Sequence, residues 1–126
     1  NFGISYVEEI DSVNILNSTK IAMLRAYDKF SKKKNSVNID GQRIFKMKGE
    51  FNFIIKGDQK SMAIASASIL AKVHRDKIMT QLSKLYPVYN WEKNMGYGTK
   101  EHLQALNKYG MTPFHRKSFA PMKNFL

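Results

Sequence analysis

Two aspartates stand where carboxylates do metal chemistry. Asp40 closes the stretch Ser36–Asp40 (SVNID) and is followed by Gly41; Asp58 follows Phe51–Lys56 (FNFIIK) and Gly57. The two stand eighteen positions apart. If both stretches are neighbouring strands, the two carboxylates lie at one edge of a sheet, and open α/β sheets bind ligands outside the carboxyl ends of their strands. Hard oxygen donors suit Mg²⁺ or Mn²⁺. Two such ions about 3.5–4 Å apart serve phosphodiester hydrolysis. A plainer reading competes: Asp-Gly is a common turn dipeptide, and an aspartate before a helix is a common N-cap worth about 1 kcal/mol. Spacing alone leaves both open.

Tyr97 lies between Gly96 and Gly98. An exposed ring there could stack on a sugar or base, an interaction worth about 1–3 kcal/mol per base. The alternative is a ring packed under its own loop. Lys56, Lys60, Lys100, Arg116 and Lys117 are candidates for phosphate contacts, although any one of them alone reads as a solvated surface charge. His74, His102 and His115 lack the spacing of a zinc motif. The chain has neither a Walker A loop nor a G-x-G-x-x-G fingerprint. Trp91 and the methionines read as packing, with methionine filling gaps.

The elements that must position these residues follow from pattern. Phe2, Ile4 and Tyr6 alternate, and Phe2–Val7 reads as a strand. An N-cap is expected at Asp11 or Ser12, and the apolar residues from Asn14 to Phe30 fall on one helix face. Ser31–Ser36 is a polar, basic loop; Ser36–Asp40 and Phe51–Lys56 are strands joined by an irregular connection over Gln42–Glu50. A long helix covers Lys60 to Leu85 and stops before Pro87. The small residues of Ala63–Ala71 would let that helix lie close on a sheet. Tyr89–Thr99 is an aromatic, glycine-rich loop, and Thr99 caps a last helix over Lys100–Lys108 that Gly110 ends. Strands alternating with helices give an α/β fold.

Composition bounds the function. With 126 residues, 43% apolar and 25% charged, the chain suits one globular domain rather than a disordered tail. No stretch has the run of about 20 apolar residues that a membrane helix needs, and no membrane partner is expected. The absence of cysteine excludes disulfides and thiolate chemistry and fits a reducing compartment, so a cytoplasmic location is expected. A net charge of +11 points to a polyanionic partner, nucleic acid first. Asn1–Val7 is no signal peptide; it reads as a strand already under way, and the chain is expected to be the downstream part of something longer.

Five blocks of the sequence resemble bacterial ribonuclease HII: Val7–Ala22 (VEEIDSVNILNSTKIA), Ile39–Gly41 (IDG), Lys56–Asp76 (KGDQKSMAIASASILAKVHRD), Gly96–His102 (GYGTKEH) and Pro113–Pro121 (PFHRKSFAP). They follow the family's order and gaps from residue 2 to residue 122. The resemblance implies a ribonuclease H-like fold, a mixed sheet flanked by helices. It implies endonucleolytic cleavage of RNA in RNA–DNA hybrids and at single ribonucleotides in duplex DNA, leaving 5′ phosphate and 3′ hydroxyl ends, as replication and repair require. It implies Mg²⁺ or Mn²⁺ held by four carboxylates, of which Asp40 matches the third and Asp58 the fourth. Tyr97 matches the tyrosine that stacks on the sugar at the RNA–DNA junction. The 2′-hydroxyl would distinguish the scissile site from DNA.

The family's opening Asp-Glu-Ala-Gly-Arg-Gly segment, source of the first two carboxylates, does not occur in this sequence; Glu8 and Glu9 belong to a different block. The expectation is therefore a single ribonuclease HII-like domain over residues 1–126 that is incomplete at its N-terminus, and a monomer when complete. Two carboxylates alone would hold hard cations weakly. A chain that grips nucleic acid without cutting it, or a remnant that does not fold, is the alternative.

Overall fold

The computed structural model describes residues 1–30, 36–43, 50–120 and 122. Most of the basic loop Ser31–Ser36 and of the connection Gln42–Glu50 lies outside the described residues. In chain order come helix α1 (Val7–Tyr27), strands β1 (Val37–Asp40) and β2 (Phe51–Ile54), a 3₁₀ turn (Gly57–Gln59), helix α2 (Met62–Leu85), a second 3₁₀ turn (Pro87–Tyr89), and helices α3 (Trp91–Asn94) and α4 (Lys100–Tyr109).

The expected strand over Phe2–Val7 is not there: residues 1–6 carry no regular structure and Val7 already opens α1. Side chains on α1 and just past its end take the carbonyls that a sheet ladder would have used. Arg25 Nη1 donates to the Ile4 carbonyl at 2.6 Å, and Lys29 Nζ donates to that of Phe2 at 3.1 Å. Gly3 lies so close on α1 that a Cβ there would come within 1.8 Å of the Ala22 carbonyl oxygen. The Phe2 ring stacks on His74 with centroids 4.3 Å apart.

The start of α1 differs from expectation as well. Glu8 and Glu9 sit in its first turn, where the helix dipole favours acids. Glu9 Oε2 accepts from the Tyr6 backbone N–H at 3.0 Å and from Ser5 Oγ at 3.1 Å. The helix then breaks at Asn14 (φ 69°, ψ 165°), whose Oδ1 accepts from the Asn17 N–H at 3.1 Å. Asn14 thus caps a second helical segment, which is the one the apolar periodicity traces. Neither Asp11 nor Ser12 is the cap.

Strands β1 and β2 are parallel, with Val37 opposite Phe51 and Asp40 opposite Ile54. Among the described residues the sheet has these two strands. α2 starts at Met62, two residues later than expected because Ser61, in extended backbone, is its N-cap, and most of its small-residue stretch is exposed. Ile64 is buried against the turn before the helix, while Ala63, Ala67, Ala71, Ile69 and Leu70 are exposed. Two four-residue strands are too narrow to shield a 24-residue helix.

The core sits in the second half of the chain. Tyr89, Trp91, Ala105, Leu106 and Met122 are buried together, with Met79, Leu82 and Tyr86 packed around them. Tyr89 and Trp91 stack with centroids 5.2 Å apart. The expected loop Tyr89–Thr99 holds one helical turn, α3, entered and left through the left-handed residues Asn90 and Met95. Thr99 Oγ1 caps α4 by accepting from the His102 N–H, and Gly110 (φ 76°) follows it, as the pattern predicts. No helix among the described residues is long and apolar enough to cross a membrane.

Candidate metal and nucleic-acid site

Asp40 is the last residue of β1, and Asp58 follows β2 by one tight turn. Because the strands run parallel, both acids stand at the same end of the sheet. The turn is built for close approach. Lys56 adopts the left-handed conformation (φ 53°), which costs an ordinary residue about 1 kcal/mol or more. Gly57 is buried, and its backbone N–H donates to Asp40 Oδ1 at 2.7 Å. A Cβ at Gly57 would lie 2.6 Å from Ile64 Cδ1 and 3.3 Å from that same carboxylate oxygen. The Gly57 carbonyl accepts from the Ser61 N–H at 2.8 Å, leading the chain into α2. Asp40 and Asp58 are both exposed, as are Lys56 and Lys60 beside them. The donors suit hard divalent ions in kind. In number they are two: no group of three or more ligating side chains occurs among the described residues.

A second cluster forms around Tyr97. Its ring is 71% exposed, so the alternative of a ring packed under its own loop does not describe it. The backbone around the ring is held firmly. The Tyr97 N–H donates to the Asn94 carbonyl at 2.8 Å, and its own carbonyl accepts from the Thr99 N–H at 2.9 Å. The buried Asn94 side chain donates to the Tyr89 carbonyl at 2.7 Å and accepts from the Gly96 N–H at 2.9 Å. Gly96 is needed for its φ of 78° and for room, since a Cβ would meet Met79 Cε at 3.0 Å; Gly98 faces open space.

Arg75, on α2, escapes sequence reasoning, because one arginine on a long helix reads as a solvated charge. Its Nη1 donates to the Met95 carbonyl at 2.7 Å, and its guanidinium lies 5.7 Å from the Tyr97 ring centroid. Arg116 lies over the Phe119 ring at 3.9 Å. Burial and then the charge of Arg75 lower its pKa from the ordinary value, and Asp11 opposes them. The Arg75 guanidinium thus stands beside the loop that presents the tyrosine, and Arg116 is near enough to Arg75 to feel its charge. Lys100 opens α4 three residues further on, exposed, and Lys117 is exposed as well. α2 connects the two clusters: from Met62, just past Asp58, to Arg75 the helix rises about 20 Å.

Asp11 has a role that its expected capping position hid. Its Oδ2 accepts from the Lys117 N–H at 3.0 Å, and its Oδ1 accepts from the Ser118 N–H at 2.9 Å and Ser118 Oγ at 2.6 Å. Burial works against the Asp11 carboxylate, but these donors outweigh it and hold its pKa below the ordinary value. The clamp fixes the segment that carries Arg116. His102 and His115, which lack metal-motif spacing, also meet in space, with Nε2 atoms 3.1 Å apart.

A family model described as ribonuclease HII matches residues 2–122. The ribonuclease HII of Wolbachia sp. subsp. Brugia malayi is 49% identical over 122 residues, covering 97% of this chain and 60% of that protein. That of Pelagibacter ubique is 46% identical over 125 residues, covering 98% and 67%. That of Staphylococcus aureus is 50% identical over 125 residues, covering 99% and 49%. The chain thus spans between half and two thirds of the length of these curated relatives.

Proposed function

Because this chain belongs to the ribonuclease HII family and carries its ribonuclease H-like α/β fold, we propose that it serves metal-dependent endonucleolytic cleavage of RNA. The substrates are RNA–DNA hybrids and duplex DNA with embedded ribonucleotides, and the products carry 5′ phosphate and 3′ hydroxyl ends. The site of action is the cytoplasm, in replication and repair; residues 1–126 form one ribonuclease HII-like domain, incomplete at its N-terminus, of a protein that is a monomer when complete.

One observation carries the reading. The hydrogen bond from the Gly57 N–H to Asp40 Oδ1, at 2.7 Å, ties the first acid to the residue before the second. Asp40 and Asp58 are the residues that would hold Mg²⁺ or Mn²⁺. When bound, such an ion supplies charge to activate water and to stabilise a leaving oxygen. The chain's own part is to fix the Asp40 carboxylate against a rigid turn, so that it does not reorganise on binding. Lys56, Lys60, Lys100 and Arg116 neutralise phosphates, and Tyr97 offers its exposed face to the sugar at the junction.

The number of carboxylates favours a second reading. Two hard donors bind a divalent ion weakly, which suits a chain that binds its duplex more readily than it cuts. An assay with Mn²⁺ and a duplex holding one ribonucleotide separates the two. Cleavage that disappears in Asp40→Asn and in Asp58→Asn supports the nuclease. Retained, junction-dependent binding without cleavage supports the second reading, and Mn²⁺ binding unchanged by both substitutions refutes the metal role of the acids.

A further inference from the structure

His102 closes the GYGTKEH block and His115 lies in PFHRKSFAP, and their rings join the two blocks through a contact of 3.1 Å between Nε2 atoms. Both rings are buried. Their partners fix each proton. The Tyr97 carbonyl, which can only accept, is 2.9 Å from His102 Nδ1, so Nδ1 carries a hydrogen. Trp91 Nε1–H, which can only donate, is 3.3 Å from His102 Nε2, so that nitrogen keeps its lone pair. On His115 the Thr112 backbone N–H donates to Nδ1 at 2.9 Å, so the proton of the neutral ring is on Nε2. His115 Nε2–H therefore donates to His102 Nε2. The polarity runs one way, from Thr112 through His115 and His102 to the Tyr97 carbonyl. An extra proton on either ring would set two donors face to face.

Tyr97 needs such an anchor. Its ring is 71% exposed, and glycines flank it, so the backbone decides where the ring points. We propose that His115 and His102 are positioning residues that hold the Tyr97 carbonyl, and through it the ring, in the orientation that meets a ribonucleotide junction. This rests on the reading of Tyr97 as the stacking residue; neither histidine touches the substrate. Among the described residues the titratable side chain whose ring faces both is Tyr89, at centroid distances of 6.0 and 5.0 Å, and its hydroxyl donates to the Gly110 carbonyl at 2.8 Å. Burial raises the Tyr89 pKa, so it stays neutral beside the pair.

Two measurements on the full chain test this. Histidine ¹⁵N spectra at neutral pH are expected to show the Nδ1–H tautomer for His102 and the Nε2–H tautomer for His115. In His115→Leu the Tyr97 and Thr99 amide resonances should move from their positions in the parent. Averaged tautomers overturn the proposal without any substitution, and Tyr97 and Thr99 amides that stay in place in a folded His115→Leu overturn it as well. The second measurement is the preference of the chain for a duplex with one ribonucleotide over the same duplex in DNA. Tyr97→Ala and His115→Leu should each lower it about tenfold, which is about 1.4 kcal/mol and within the reach of one stacked ring, and the two effects should not add. His115→Gln, which keeps an N–H donor toward His102, should restore it to within about twofold. A normal preference in His115→Leu beside a lost one in Tyr97→Ala sinks the positioning role alone. No change in Tyr97→Ala, with the tautomers as assigned, sinks the stacking reading and the purpose of the relay with it. If His115→Leu does not fold, the spectra and His115→Gln decide.

Discussion

At Gly57, one missing methyl group decides where a carboxylate sits. Replacement by alanine would press a Cβ against Ile64 Cδ1 at 2.6 Å and Asp40 Oδ1 at 3.3 Å. Overpacking of this kind costs about 1–3 kcal/mol, and here part of the strain must be relieved by moving Asp40. Gly57→Ala should therefore lower the urea midpoint and weaken Mn²⁺ binding. Gly98→Ala, facing open space, should stay within about 0.5 kcal/mol of the parent. Strand patterning put the two acids at one edge of a sheet, and the resemblance of the Ile-Asp-Gly and Lys-Gly-Asp segments marked them as expected metal ligands. The crowding that makes Gly57 obligatory was not, because it depends on Ile64 of α2. His115 makes a second case. Burial first, and the His102 ring second, hold its pKa down from 6.5 to about 4. The folded state therefore resists the proton that the unfolded chain takes up below pH 6.5. Stability is complete above that pH, falls as pH drops toward 4, and levels off below, a loss of about 3 kcal/mol from this group. Urea midpoints at pH 7 and pH 4.5 should differ by less in His115→Gln than in the parent, and an equal difference would refute the assignment.

Among the elements, α1 shows how far local pattern reaches. Its apolar periodicity traces the segment after Asn14, but the earlier start at Val7, with Glu8 and Glu9 in the first turn, and the break at one left-handed asparagine are announced by no spacing. The Phe2–Val7 alternation misleads for a related reason: Arg25 and Lys29, both more than twenty residues away, take its carbonyls. Thr99, Gly110 and the end of α2 before Pro87 were legible because capping and proline chemistry are local. Asp11 lies at the other extreme, with partners 106 and 107 residues along the chain. Its loss frees two backbone donors and one hydroxyl in an exposed setting, so Asp11→Ala should cost about 1 kcal/mol. The distinguishing effect is local. Hydrogen exchange at the Lys117 and Ser118 amides should accelerate far more than exchange in α2, and unchanged protection there would show that the clamp is not what fixes the segment carrying Arg116.

For the whole molecule, charge is the property most open to a solution test. The chain has 21 basic and 10 acidic residues. Glu9 is paired with Arg25, which together with the Tyr6 N–H holds its pKa down to about 2, and Asp76 is paired with Lys72. The excess is cationic, and a duplex bound by it must release counterions. Each phosphate neutralised contributes about −0.9 to the slope of log K against log salt concentration. If Lys56, Lys60, Lys100 and Arg116 each meet one phosphate, the slope should be about −3 to −4. Replacing one of these lysines by glutamine should then make it shallower by about 0.9 and weaken DNA and ribonucleotide-containing duplexes alike. Tyr97→Ala should behave in the opposite manner, lowering affinity for the junction at every salt concentration while leaving the slope as it was. A slope near zero would mean that the net charge serves something other than a polyanion, and a slope that changed with Tyr97 but not with the lysines would move the phosphate contacts to Arg75 and its neighbours around the tyrosine.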